Sequence, residues 1–191
     1  IVFPAAGITN ISNTTTINPG NYGNVTLTGN KTLTLAGPGI YVFNSVNNSG
    51  NGNTFKFDFL NTTTGDIIIY VHGNMLLGKS SASIVNGGGA NRIYTEIHGN
   101  GVSAFSIGNG NGGGNLRWSG KIYAPYGAIS VGAGTGQTSI EGILWSGTQV
   151  TLSSGCVLTA PVVCTTPNAN AGADKVVNCT NPTVQLSGSS T

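Results

Sequence analysis

Residues 120–134 read GKIYAPYGAISVGAG, and residues 142–155 read GILWSGTQVTLSSG. The first halves of the two stretches align at an offset of 22 residues and the second halves at 21. A further pair, YVHGN at 70–74 and EIHGN at 96–100, repeats at an offset of 26. Units of about 20–26 residues that recur with the same turn residues are typical of solenoid proteins.

Short apolar runs interrupted by Gly, Asn and Ser predict strands along most of the chain, and helical periodicity is absent. We therefore predict an all-β fold, a single-chain parallel β-helix whose units stack about 4.8 Å apart. A sandwich would also contain short strands, but it would not so readily repeat its turn residues. The inward ladders are expected to contain Ile67, Ile69, Val71, Ile93, Ile97, Ile122, Ile129, Val131, Leu144, Val150 and Leu152.

The composition fits this prediction and excludes several partners. Charged residues make up 6% of the chain, against about 25% in an average soluble protein. Few charges are expected in stacked units, because like charges on neighbouring strands repel. No basic stripe suggests nucleic acid, and the apolar runs are too short to span a bilayer. The chain begins at Ile1 without a Met or a signal-like segment, so we expect a mature or trimmed chain of a secreted or cell-surface protein.

Changes in composition predict four segments. Residues 1–24 are expected to form an N-terminal arm or cap, 25–160 the β-helix, 161–170 a linker, and 171–191 a strand-like C-terminal extension. The three cysteines lie in the last quarter of the chain without a CxxC pair, which argues against a zinc site. One disulfide is expected in an exported protein. Cys164 with Cys179 is the preferred pair because it would staple the linker, although spacing does not fix the pairing.

Two resemblances to known families add to these expectations. GPGIYVF at 37–43, IYVHGNMLLG at 69–78, GKIYAP at 120–125 and VTLSSG at 150–155 occur in an order that resembles parallel β-helix domains of bacterial surface, pilus-associated and adhesin-like proteins. That resemblance covers about residues 31–155, implies a structural or adhesive role, and transfers no catalytic residue.

The C-terminal residues resemble a different kind of domain. PNANAGAD at 167–174 and VQLSGSS at 184–190 resemble the opening of PKD-like immunoglobulin-type domains of secreted Bacteroidota proteins. The resemblance implies either that the chain is a piece of a longer polypeptide or that the tail has another use. One such use is the addition of a strand to a neighbouring subunit.

Four aromatic residues gather on and around the opening stretches. Aromatic rings that face solvent can stack on sugars or on a neighbouring subunit, whereas rings that face inward would form a buried ladder. A stacked aromatic ladder is the commoner outcome in a β-helix, and contact with a sugar or a subunit is the alternative. The candidates for contact with a glycan or a subunit are Trp118, Tyr123, Tyr126 and Trp145.

The polar residues give weaker candidates. His72 and His98 occupy equivalent places at the offset of 26, but no cysteine or carboxylate cluster accompanies them, so hydrogen bonding to a turn is favoured over a metal site. A polysaccharide-cleaving site would need paired carboxylates, or a carboxylate with Lys or Arg. Surface roles are the default for so few charges. The residues concerned are Asp58, Asp66, Glu96, Glu141 and Asp174, with Arg92, Arg117 and Lys121.

Threonines share strand faces in two runs, Thr26 with Thr28 and Thr32 with Thr34. Flat threonine arrays can bind ice, although threonine is more often a polar residue on an outward strand face.

These observations predict a non-enzymatic extracellular protein without a cofactor or a metal, either a cell-surface fibre subunit that assembles head-to-tail with its own copies or a module of a large adhesin. A carbohydrate-binding or carbohydrate-active β-helix and an ice-binding protein are the alternatives.

Overall fold

The computed structural model describes residues 3–109, 116–133, 136–161, 169–170 and 189–190. More than half of these residues are in β-strands, and the described part contains a single 3-10 turn, Ala90–Arg92, and no α-helix. The strands are β1 (Thr15–Ile17), β2 (Gly20–Asn21), β3 (Asn24–Val25), β4 (Thr32–Ala36), β5 (Gly39–Phe43), β6 (Ser45–Asn47), β7 (Asn51–Asp58), β8 (Ile67–Val71), β9 (Met75–Leu76), β10 (Lys79–Val85), β11 (Ile93–Ile97), β12 (Gly101–Asn109), β13 (Leu116–Ala124), β14 (Gly127–Ala133), β15 (Thr138–Ser146), β16 (Val150–Leu152), β17 (Cys156–Thr159), β18 (Ala169–Asn170) and β19 (Ser189–Ser190).

Seventeen of these strands form three sheets, and every strand pair within the three is parallel. The four-stranded sheet has the order β1-β4-β7-β10, the seven-stranded sheet β17-β15-β13-β11-β8-β5-β2, and the six-stranded sheet β16-β14-β12-β9-β6-β3. From β1 to β12 the chain visits the three sheets in a fixed cycle. After β12 it alternates between the seven- and six-stranded sheets. We call one passage through the sheets a repeat.

The registers confirm the offsets read from the sequence. Gly120 pairs with Gly142 at the offset of 22, and Ile129 pairs with Val150 at 21. Tyr70 pairs with Glu96, at the offset of 26. Equivalent residues of successive repeats therefore lie beside one another, as the sequence alignment predicts.

The core lies between the sheets and consists of side-chain ladders that follow these registers. Along β8 and β11 burial alternates, so that Ile67, Ile69 and Val71 face inward and stack on Ile93, Thr95 and Ile97. Most of the predicted inward aliphatic residues are fully buried, but Leu144 is only partly buried, and Val150 and Leu152 are exposed. These three lie in the last repeats, where the ladders end.

Trp118 is a correction to the list of solvent-facing candidates, because it is fully buried. Its ring packs edge-on against Phe55 at 5.4 Å, Phe57 at 5.5 Å and Phe105 at 6.1 Å between ring centroids. Trp118 lies four residues before the buried Ile122 on β13, so strand alternation places both side chains on the inward face. Trp118 therefore cannot contact a glycan or another subunit.

Two glycines allow neighbouring repeats to approach closely. Gly120 has a φ of +117°, in the region that favours glycine. A Cβ atom on Gly142 would collide with the carbonyl oxygen of Gly120 in the adjacent strand. Gly120 is therefore favoured by its backbone conformation, and Gly142 by its contact with the adjacent strand.

The segment boundaries differ from the prediction at the N-terminal side. β1, β2 and β3 pair with β4, β5 and β6, so the first repeat begins before residue 24. The arm is limited to residues 3–10 of the described part. The last strand of the seven-stranded sheet, β17, ends at Thr159. Beyond it, β18 and β19 form an antiparallel pair, while Cys164, Cys179, Asp174 and most of the predicted linker and tail lie outside the described residues.

Candidate functional site

A line of outward-facing side chains crosses the seven-stranded sheet at right angles to its strands. The registers align Val42, Tyr70, Glu96, Tyr123 and Trp145 in five successive repeats. Their sequence neighbours face the core, so alternation along each strand points these side chains outward. The sequence thus places three large aromatic residues and one carboxylate on a single outer line.

A second line runs beside the first, two residues earlier in each strand. It contains Ile40, Ile68, Tyr94, Lys121 and Ile143. Lys121 and Ile143 are exposed, and Tyr94 is half-buried. The two lines together give this face an apolar and aromatic character with few charges.

The N-terminal arm (residues 3–10) covers one end of this face. The arm is joined to the first repeat by hydrogen bonds from the Gly7 amide to the Tyr22 carbonyl, at 3.0 Å, and from the Gly23 amide to the Thr9 carbonyl, at 2.8 Å. Val42 is fully buried although it lies on the outward line, as expected where the arm crosses the second repeat.

The tip of the arm reaches the third and fourth repeats. Phe3 stacks on His98 at 3.6 Å and meets Tyr70 edge-on at 5.0 Å between ring centroids. His72 Nε2 lies 2.7 Å from the carbonyl oxygen of Pro4. The two histidines therefore lie in adjacent repeats, as the sequence predicts, and they hold the arm.

A cleft of about 370 Å³ opens where the arm ends. It is lined by Phe3, Pro4, Tyr70, Tyr94, Glu96, His98 and Tyr123. Its walls are mainly aromatic rings, and its polar floor is the Glu96 carboxylate. The volume lies within the range of about 300–1,000 Å³ that small-ligand sites occupy.

The Glu96 carboxylate is held by two neighbours on its own strand face. The Tyr94 hydroxyl donates to Glu96 Oε2 at 2.9 Å, and His98 Nε2 lies 2.7 Å from Glu96 Oε1. Burial, and then the hydrogen bond to Glu96, raise the pKa of Tyr94 above its ordinary value, so its hydroxyl stays protonated and donates. Each carboxylate oxygen can accept a further hydrogen bond, so a fixed acceptor faces the cleft.

Aromatic rings continue from the cleft toward the last repeat, beginning with the half-buried Tyr123. The Tyr123 and Trp145 ring centroids lie 5.2 Å apart with an interplanar angle of 51°. Trp145 is 68% exposed and Tyr126 is 61% exposed. Tyr126 meets His98 edge-on at 5.1 Å. Three of the four aromatic residues singled out in the sequence therefore lie next to this cleft.

The second strand glutamate, Glu141, lies away from Glu96 and has its own partner. Glu141 forms an ion pair with Arg117. In the register, Glu141 lies beside Ser119 of β13, whereas Glu96 lies beside Tyr123 of the same strand. Ser119 and Tyr123 are four residues apart. Four strand residues span about 13 Å, so the two glutamates do not form a pair. Within the described residues no group of three or more His, Cys, Asp or Glu side chains could hold a metal ion.

Two further side chains have structural contacts. Arg92 donates to the carbonyl oxygens of Thr62, at 2.9 Å, and Gly65, at 2.8 Å, and lies over the Phe59 ring at 4.5 Å. The Cys156 thiol, on the edge strand β17, donates to the Val131 carbonyl at 3.0 Å.

The rows of threonine side chains that cross the four-stranded sheet contain only two threonines each. Thr34 pairs with Thr16 on one side and with Lys56 on the other. Thr32 pairs with Thr54, and Thr54 with Ser81. The outward threonine array is therefore interrupted by a lysine and ends in serine, which does not favour a flat ice-binding surface.

The last described repeat leaves the core ladders open. In one ladder Phe105 stacks on Ile129, and Ile129 stacks on Val150, where the ladder ends. In the next, Ile107 stacks on Val131, and the ladder ends at Leu152. A third ladder, in which Trp118 stacks on Ile140, ends at Leu158. All three terminal residues are exposed. β16 and β17 are the last strands of their sheets. We call this surface the open end.

The comparisons with known proteins return no counterpart: no family model, curated protein or solved structure matches the chain. In the described ranges, none of the helices has the length and apolarity needed to cross a membrane.

Sequence reasoning missed Phe3, Tyr70 and Tyr94. Every second residue of a strand points to the same face, so a period-two count would have grouped Tyr94, Glu96 and His98. Aligning the units at the offset of 26 would have placed Tyr70 beside Glu96. No sequence signal connects Phe3 to His98, because that contact depends on the path of the arm.

Proposed function

We propose that the chain is a parallel β-helix that serves as a non-enzymatic, extracellular structural or adhesive module. The cyclic order of the strands, the parallel pairing within the three large sheets and the inward ladders support the β-helix. The observation that carries the function is the open end. Edge strands with exposed apolar residues are sites of pairing with another chain unless a protein covers them.

The occupant of the open end is a second copy of the chain, which docks head-to-tail. A second copy offers the outer edge of its own arm, which lies along Tyr22 and Gly23 of its first repeat, and this edge can continue the stack where the ladders stop at Val150, Leu152 and Leu158. The low charge of the chain favours such an approach, because few like charges oppose it. The residues after Pro161 are the competing occupant, either on their own chain or on a neighbour by strand addition.

Charged substitutions at the open end test this assembly. Leu152→Lys and Leu158→Lys each place a charge where an apolar contact is proposed. Electron microscopy and sedimentation velocity of the full chain should show filaments or long oligomers that both variants shorten or abolish. Val102→Lys is the matched control, because Val102 is 89% exposed on β12 away from the open end. A full chain that remains monomeric at high concentration would overturn the fibre and leave a module of a larger adhesin.

The rival functions have weaker support. A glycoside hydrolase with two carboxylates requires them roughly 5–10 Å apart, whereas Glu96 and Glu141 have separate partners on distant register positions. Reducing-sugar release that is lost in Glu96→Gln would nevertheless establish an enzyme. Thermal hysteresis lost in Thr34→Leu would establish ice binding.

A further inference from the structure

We propose that the cleft at Glu96 and the adjoining Tyr123 and Trp145 rings bind a neutral glycan of about three hexose units. This inference deepens the adhesive role in the proposed function, but it does not depend on end-to-end assembly.

The chemistry of the cleft complements that of a sugar. A pyranose ring has apolar C–H faces that pack on aromatic rings, and hydroxyl groups around its edge that donate hydrogen bonds. Trp145 is exposed to solvent, and the half-buried Tyr123 ring packs against it at the edge of the cleft. Glu96 offers a carboxylate that Tyr94 and His98 already hold in one orientation. A preorganised acceptor beside apolar walls is the usual composition of a small-ligand site.

The spacing of the outward line matches that of a glycan. Successive repeats advance by about 4.8 Å, which is close to the length of one hexose in an extended glycan. Glu96, Tyr123 and Trp145 lie in three successive repeats. An extended glycan that follows the line can therefore meet one of these side chains with each sugar unit.

The outward line is blocked at one side only. Phe3 stacks on His98 and forms the wall beyond Glu96. In the other direction the line stays open past Trp145, which is 68% exposed. The site therefore accepts the end of a glycan chain at Glu96 and lets the remainder leave over Trp145.

The local charge selects the class of glycan. A carboxylate at the floor of the cleft repels uronic and sialic acids, and Lys121 lies on the neighbouring line rather than beside Glu96. Neutral hexose chains fit this charge pattern better than acidic ones. A protein partner is the other possible occupant, but the fixed acceptor and the regular spacing favour a repeating polyhydroxylated ligand.

Binding can be measured on the full chain with defined oligosaccharides. The panel contains cello-, malto-, laminari- and chito-oligosaccharides of three to six units, with an oligogalacturonide as the acidic comparison. Isothermal titration calorimetry and tryptophan fluorescence are read together. Trp145 is exposed and Trp118 is buried, so a bound sugar should shield Trp145 from acrylamide and leave Trp118 unchanged.

Three variants and one control complete the test. Trp145→Ala should weaken binding about tenfold or more, and Glu96→Gln should weaken it and relax the discrimination against the acidic oligosaccharide. Val102→Ala should bind as the unchanged chain does. Leu158→Lys should lose assembly but keep glycan binding, which separates the two proposals. The glycan site is overturned if no neutral oligosaccharide in the panel binds saturably, or if Trp145→Ala binds as well as the unchanged chain.

Discussion

The two ends of the stack of repeats are built from the same ladders but differ in what covers them. At the first repeat, the N-terminal arm adds hydrogen bonds along Tyr22 and Gly23 and runs on to His98. At the last repeat, the ladders stop at exposed Val150 and Leu152. A repeat structure is therefore not uniform in stability, because its nearest-neighbour contacts are lost at an uncovered end. Substitutions that alter this contrast should differ widely in their effects.

The largest difference is expected along one ladder. Ile107 is fully buried, and Leu152, two strands further along the same ladder, is 47% exposed. Ile107→Ala should lower the free energy of unfolding by about 2–5 kcal/mol, because it leaves a cavity. Leu152→Ala should cost less than about 1 kcal/mol. Urea denaturation of both variants measures the difference, and equal losses would contradict an open end.

The next effect concerns backbone contact between the last repeats. Gly142→Ala should cost about 1–3 kcal/mol, since its Cβ collides with the Gly120 carbonyl and the neighbouring strand must shift. Gly101→Ala is the matched control, because Gly101 has a φ of +85° but no heavy atom lies within 4 Å of the place that its Cβ would occupy. Its backbone strain alone should cost about 1 kcal/mol. Thermal unfolding compares the two variants, and a larger loss of stability in Gly142→Ala than in Gly101→Ala would show that the close contact between strands contributes.

Removing the aromatic tip of the arm should weaken its attachment to the third and fourth repeats. Phe3→Ala deletes the stack on His98 and the edge contact with Tyr70, and we expect a loss of about 1–2 kcal/mol. Ile8→Ala, on the same arm, should change little because Ile8 is 95% exposed. Denaturation gives the energies, and the His98 ring resonances in NMR report the stack. Unchanged His98 resonances in Phe3→Ala would contradict the seating of the arm.

The smallest effect is electrostatic and lies away from both ends. The Leu60 amide, and then the Asn86 side chain, donate hydrogen bonds to Asp58 and hold the pKa of that carboxyl below its usual value. Its contribution is therefore present above about pH 4 and is lost as the pH falls through the lower folded-state pKa. Asp58→Asn should flatten this acid limb in urea denaturation at pH 2–6. If the free energy of unfolding of Asp58→Asn falls with acid pH as steeply as that of the unchanged chain, other carboxylates cause the fall.

The parts of the fold that depend on local pattern can be predicted from the sequence. The register offsets and the ladders that contain Ile67 and Ile69 follow from period-two alternation and repeated glycine turns. Grouping Trp118 with the nearby aromatic residues makes it a solvent-facing candidate, whereas counting from Ile122 would have placed it inward. The first repeat is hard to predict because β2 and β3 have two residues each, too few to show alternation. The arm and its cleft depend on contacts between distant residues, which no local pattern encodes.

The contact between Phe3 and His98 has a consequence for the order of events as the chain folds. The two residues are 95 positions apart in the sequence, and Phe3 and Tyr70 are 67 apart. Closing a loop of this length costs conformational entropy before the contact forms. A chain that emerges N-terminus first must therefore keep its arm unseated until four repeats have formed, and the aromatic line stays accessible to other ligands during that interval.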